Sequence, residues 1–300
     1  MLKIAFSPIY AHPLPQNHRF PMQKYELLPE QLIYEGTAKE ENFFIPTPLS
    51  EDKILKAHTE EYWNKLKHLN LTRKEERRTG FPLSAKLIER EITIAGGTIQ
   101  NTEFALQYGV SMNIAGGTHH AFTDRGEGFC LLNDIALGAY HLIDEYKFDK
   151  ILVVDLDVHQ GNGTAEIFQN DNLVFTFSMH GAKNYPYKKE KSDLDIELED
   201  GTDDKTYLKL LKETLPKLIE EQEPQFIFFQ SGVDILSTDK LGRLGMSLQG
   251  CRERDLFVFT ECKKNNIPVS VSMGGGYSLK IADIVEAHAN TYRLAQDIYF

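Results

Sequence analysis

The sequence predicts an α/β fold of three layers, a central mostly parallel sheet with helices on both faces. Two observations lead there. Beyond Phe81, helical patterns at roughly 84–108, 131–146, 203–222, 249–265 and 278–297 alternate with short apolar or β-branched runs. Those runs, SMNIAG, ILVVDLDV, LVFTFS, QFIFFQSG and IPVSVSM, are close to continuously apolar, as strands covered on both faces must be. No internal repeat, low-complexity tract or Gly/Ser linker interrupts the alternation, so residues 1–300 are read as a single catalytic domain. A hydrophobic content of 41% is ample for one large core.

Taken in order, MLKIAFSPIYAHP reads as a first strand. It lacks a basic region, a long apolar stretch and a small-residue cleavage site, which leads us to expect a cytoplasmic protein. AHPLPQNHRFP, with three prolines and two histidines, reads as an ordered loop, and Thr72 to Gly80 as a charge-rich loop or helix end. A mean hydropathy of -0.36 and no apolar run near ~20 residues argue against a membrane span. Three cysteines without CxxC spacing argue against a disulfide framework or a cysteine zinc site. The formal net charge of -11 disfavours direct nucleic-acid binding and suits a cationic partner such as a lysine-rich peptide or a polyamine.

In parallel sheets ligands bind beyond the carboxyl ends of the strands. Four runs here end in reactive groups: MNIAGG runs into His119 and His120, ILVV into Asp155, Asp157 and His159, FIFFQSG into Asp234, and VSVSM into Gly274, Gly275, Gly276 and Tyr277. Side chains at alternate positions of an extended chain share a face, so Asp157 and His159 can chelate one ion, with Asp234 as third ligand. One nitrogen and two oxygens with open positions suit catalytic Zn²⁺, and the same site accommodates Fe²⁺, Co²⁺ or Mn²⁺. Asp155, one pleat deeper, is expected to pair with a histidine and fix its tautomer. His119 and His120 could be ligands or an acid/base pair. With three ligands already assigned, proton transfer is the reading adopted. Tyr277, after three glycines, would donate a hydrogen bond to a developing oxyanion.

With these residues assembled, the chain resembles the histone deacetylase/acetoin-utilisation family of metal-dependent amidohydrolases. GGTHHAF, GFCLLNDIALG, VDLDVHQGNGT, SGVDILSTDKLG and GGGYS occur in the family's order between roughly residues 90 and 290, and the short variable regions, total length and HQGNG together are most similar to the class IV branch and its bacterial-type relatives. The resemblance implies an arginase-like fold with about eight strands and removal of acetyl or longer acyl groups from lysine side chains by a metal-activated water. It implies Asp157, His159 and Asp234 as zinc ligands, His119 and His120 as the active-site pair, Asp155 as partner of His119, and Tyr277 as polariser of the carbonyl. It further implies a structural K⁺ held by Asp155, Asp157 and Ser178 with main-chain oxygens of His159 and Met179. Gly128, Phe129, Tyr185 and Gly275 would line an acyl-lysine tunnel, Leu241 its rim and Arg19 an inner channel. Asn162 stands where class I members carry an Asp behind the second histidine, so His120 should be easier to deprotonate than a carboxylate-backed ring.

Three rival readings make different demands on the same residues. A dinuclear ureohydrolase needs carboxylates where Gly161 and Leu236 stand. For an acetylpolyamine or other small-molecule N-acetyl amidohydrolase, the resemblance implies that polyamine-selective members carry a Glu at the tunnel rim, where Leu241 stands here. A catalytically silent binding module would not need all three ligands, both histidines and Tyr277.

Overall fold

The computed structural model describes residues 1–300. In chain order the elements are β1 (Lys3–Ala5), α1 (Lys24–Tyr34), β2 (Phe43–Phe44), α2 (Glu51–Ile54), α3 (Glu60–Lys67), α4 (Arg73–Thr79), α5 (Ala85–Tyr108) and β3 (Val110–Asn113). There follow α6 (Asp134–Tyr146), β4 (Ile151–Asp155), α7 (Asn162–Phe168), β5 (Val174–Gly181), β6 (Leu194–Leu198), α8 (Asp204–Gln222), β7 (Phe226–Gln230), α9 (Leu248–Lys264), β8 (Val269–Ser272) and α10 (Ile281–Tyr299). The strands form one sheet in the order β2-β1-β3-β8-β7-β4-β5-β6, and every pair is parallel.

Helices cover both faces. On β7 the ring of Phe228 lies where a side chain at Gly138 of α6 would collide with it. The neighbouring Phe229 meets Phe259 of α9, ring centroids 6.1 Å apart. Adjacent strand residues point to opposite faces, so α6 and α9 lie on opposite sides of the sheet. This is the three-layer fold the alternation predicts. The helix starts follow local chemistry: Ser84, Asn133, Asp203 and Ser247 each accept a backbone N–H from the first turn of α5, α6, α8 and α9.

Several sequence expectations need correction. Residues 72–80 are neither loop nor helix end but a whole short helix, α4, with a Thr72/Glu75 capping box and a left-handed Gly80 after it. The first 80 residues also hold α1 and α3, whose apolar stripes are too short to stand out. Strands β2 and β6 escaped notice because β2 has two residues and β6 is a partly exposed edge strand whose charges interrupt the apolar run. Helix α6 starts at Asp134 rather than 131, where Asn133 supplies the cap, and α10 runs from Ile281 to Tyr299 rather than over 278–297. Strand β4 stops at Asp155, so Asp157 and His159 lie in a turn beyond it.

Candidate active site

The reactive residues lie in loops past the carboxyl ends of β3, β4, β7 and β8, which are neighbours or near-neighbours in the middle of the sheet. After β4 the turn is built on its own carboxylates. The Asp157 N–H donates to Asp155 Oδ1 at 3.2 Å, and the His159 N–H donates to Asp157 Oδ1 at 3.0 Å. The loop after β7 joins it, since Val158 N–H donates to Asp234 Oδ1 at 3.1 Å. Arg254, fully buried on α9, donates to the carbonyls of Leu156 at 3.2 Å and Gly232 at 2.5 Å, and pairs with Asp255 at 2.8 Å. One cation thus bridges the two loops that carry Asp157 and Asp234.

Asp157, His159 and Asp234 converge. One ligand atom from each lies within 4.8 Å of the others, and all three residues are buried. His159 Nδ1 sits 3.1 Å from both Asp157 Oδ1 and Asp234 Oδ2. Burial alone would lower the His159 pKa, but the two carboxylates raise it to about 10. Burial, and then the charge of Asp157, push Asp234 up to about 7. Two carboxylates and an imidazole crowded out of water form a donor set that fits a divalent cation. The turn after β4, and not the strand face expected from their spacing, brings Asp157 and His159 together.

The loop after β3 carries the histidine pair, with ring centroids 4.2 Å apart. Positive φ at Gly116 and Gly117 (81° and 72°) lets that loop turn, and a side chain at Gly117 would strike Gln230. Asp134, buried at the start of α6, organises the loop by accepting from Gly117 N, Thr118 N and Thr118 Oγ1 at 3.1, 2.8 and 2.7 Å. His119 Nδ1 is 2.7 Å from Asp155 Oδ2, and His120 Nδ1 is 2.6 Å from Asn162 Oδ1. Burial would lower both pKa values. Asp155 reverses this for His119 and raises it to about 9, whereas burial and the neighbouring imidazoles hold His120 well below 6.5.

A cavity of about 40 Å³ lies among these groups, lined by His119, His120, Asp157, His159, Asp234 and Tyr277 with Phe20, Gly128, Phe129 and Gly275. Burial, then Asp234 and Asp157, push the Tyr277 hydroxyl pKa well above 10. Tyr185 and Leu241 are not among the lining residues. Tyr185 packs edge-on against His120, centroids 5.0 Å apart, with its hydroxyl on Glu127 Oε2 at 2.6 Å, while the Leu241 carbonyl accepts from Asn184. Arg19 lies over the Phe129 ring at 4.9 Å and lines an outer groove rather than the inner cavity. Its place on the wall is taken by Phe20, which packs against Phe129 and Tyr277. Ser178 is paired in register with Asp155 and bonds His180 Nδ1 at 2.9 Å, and Met179 follows it on β5.

Sequence reading missed Phe20, Asp134, Arg254 and Lys24, the last buried with its ammonium on the Gly274 carbonyl. Only Asp134 carried a signal, as the second half of an Asn-Asp pair opening a helix.

Residues 18–292 match the family described as Histone deacetylase domain. An uncharacterised protein of a Picosynechococcus strain is 41% identical over 296 residues, 99% of each chain. Histone deacetylase 2 of Arabidopsis thaliana is 30% identical over 277 residues, 89% of this chain and 72% of its own. The crystal structure of an HDAC homologue from Aquifex aeolicus superposes with a TM-score of 0.84 at 25% identity, covering 97% of this chain and 82% of that one.

Proposed function

The chain belongs to the histone deacetylase family, and from that premise we propose that it is a zinc-dependent hydrolase removing acetyl groups from lysine side chains of proteins. Membership supports deacetylase hydrolase activity. The observation that carries the finer reading is the buried Asp157–His159–Asp234 cluster opening on the same cavity as His119, His120 and Tyr277.

Asp157, His159 and Asp234 would hold the Zn²⁺. When bound, such an ion supplies Lewis acidity at the acyl carbonyl and lowers the pKa of a coordinated water from 15.7 to about 7. The remaining work falls to the chain. Both Nδ1 atoms of the histidine pair are taken, so Nε2 of each is the nitrogen left to face the reaction. Asp155 keeps a proton on His119, while His120, backed by a neutral amide, is the ring that accepts the water's proton at Nε2. The protonated pair then delivers a proton to the leaving amine. Tyr277 donates its hydroxyl hydrogen bond to the oxyanion, a contribution worth ~10²–10³ in rate for donors of this kind. Asp155, Asp157 and Ser178, with the carbonyls of His159 and Met179, would hold K⁺, whose charge would offset the two buried carboxylates.

The cavity has room for about three water-sized groups. The test compares acetyl-, butyryl- and myristoyl-lysine peptides with acetylated polyamines, each with and without a chelator. Acetyl-lysine turnover abolished by chelator and restored by Zn²⁺ is expected. Chelator-insensitive turnover would remove the metal, and polyamine preference would remove the protein substrate.

A further inference from the structure

The geometry points to Lys24 as a positioning residue for the metal ligand Asp157, acting through a single peptide unit. The inference rests on the metal site proposed above and adds a residue to it. Lys24 opens α1 and is 1% exposed, a burial that lysine seldom tolerates. Its ammonium lies 5.3, 5.4 and 5.8 Å from the ring centroids of Phe20, Tyr25 and Tyr277. It donates to the Gly274 carbonyl at 3.1 Å.

The other end of that same peptide is the Gly275 N–H, which donates to Asp157 Oδ2 at 2.8 Å. In a trans peptide C=O and N–H point in opposite directions, so the three groups form one line: ammonium, peptide, carboxylate. A cation on the carbonyl polarises the peptide and strengthens donation from its N–H. With His159 N–H on Asp157 Oδ1, both oxygens of the ligand are fixed. The Gly275 carbonyl accepts from Val233 N–H at 3.0 Å, which ties the same turn to the Asp234 loop. A side chain at Gly275 would strike Asp234, so the peptide can approach this closely only as glycine. Lys24 is not among the cavity-lining residues, so its effect runs through Asp157 and not through the substrate. Burial lowers its pKa to about 8, with Asp234, Asp157 and Asp239 opposing, so the charge persists at neutral pH.

The test is Zn²⁺ affinity of chelator-stripped full-length protein, measured by competition with a chromophoric chelator, with the Tm of the metal-free form recorded alongside. Lys24→Met should weaken Zn²⁺ binding about 10- to 100-fold, as losing an outer partner of a ligand does, and Lys24→Arg should recover most of that loss. If Lys24→Met does not fold, Lys24→Gln is compared with Lys24→Arg in the same assay. A neutral variant binding Zn²⁺ within about twofold of wild type, or Lys24→Arg binding no better than it, overturns the inference. If the unaltered protein binds no Zn²⁺, the functional reading itself has failed.

Discussion

Asn162→Asp turns the protein's own histidine pair into a controlled experiment. The two imidazoles are almost equally buried, 3% and 5% exposed, and each presents Nδ1 to an oxygen at 2.7 and 2.6 Å. They differ in the charge behind that oxygen. The carboxylate of Asp155 overcomes burial and takes His119 from 6.5 to about 9, whereas His120 on the Asn162 amide stays well below 6.5. The contrast spans at least about 2.5 pH units, or about 3 kcal/mol at 1.36 kcal/mol per unit. Part is returned in the variant because two imidazolium rings with centroids 4.2 Å apart repel, so the pair titrates as a unit. The acidic limb of kcat/KM on an acetyl-lysine peptide should therefore move up by roughly 1–2 pH units, and at any pH below that limb activity should fall about tenfold for each unit of the move. ¹⁵N-histidine NMR of the same variant should show one ring protonating at higher pH. An acidic limb that stays in place, or moves down, would refute the assignment of His120 as proton acceptor.

Other outcomes follow from particular contacts. Tyr277→Phe keeps the buried ring and loses the donor, so kcat should fall ~10²–10³-fold with KM and Tm little changed. His58 is held neutral: burial lowers its pKa to about 4, Nδ1–H faces the Phe122 carbonyl at 2.9 Å, and Nε2 accepts from Asn133 N–H at 3.0 Å. Its folded pKa lies below the unfolded 6.5, so its contribution is intact above pH 6.5 and is lost as pH falls towards 4. The loss amounts to about 3 kcal/mol, and urea midpoints of His58→Gln should vary less with pH over that window. Arg254→Met strands Asp255 without its partner and should cost about 3–5 kcal/mol, lowering Tm, with Arg254→Met/Asp255→Asn recovering part of it.

The sheet was legible because strands buried on both faces must be apolar throughout, and ILVV or FIFF admits little else. The reactive groups were legible because each follows such a run at its carboxyl end. How they meet was not. The expected extended face for Asp157 and His159 is a turn held by its own carboxylates, which a period of two cannot distinguish from a strand. Lys24 and Arg254 were invisible for a different reason: a charged residue in a helix ordinarily faces water, and only tertiary packing reveals that these do not. Arg19 and Phe20 show the same limit by one position, since which neighbour enters the cavity depends on the path of a loop.

The bridge made by Arg254 bears on how the protein fails. Carbonyls from the Asp157 and Asp234 loops share one guanidinium rooted in a core helix, so neither loop can open alone without abandoning a buried charge. The amides of Val158 and Val233 should therefore exchange their hydrogens at the slow rate of the core strands, through whole-molecule opening and not local fraying. On heating, activity and folded structure should disappear together.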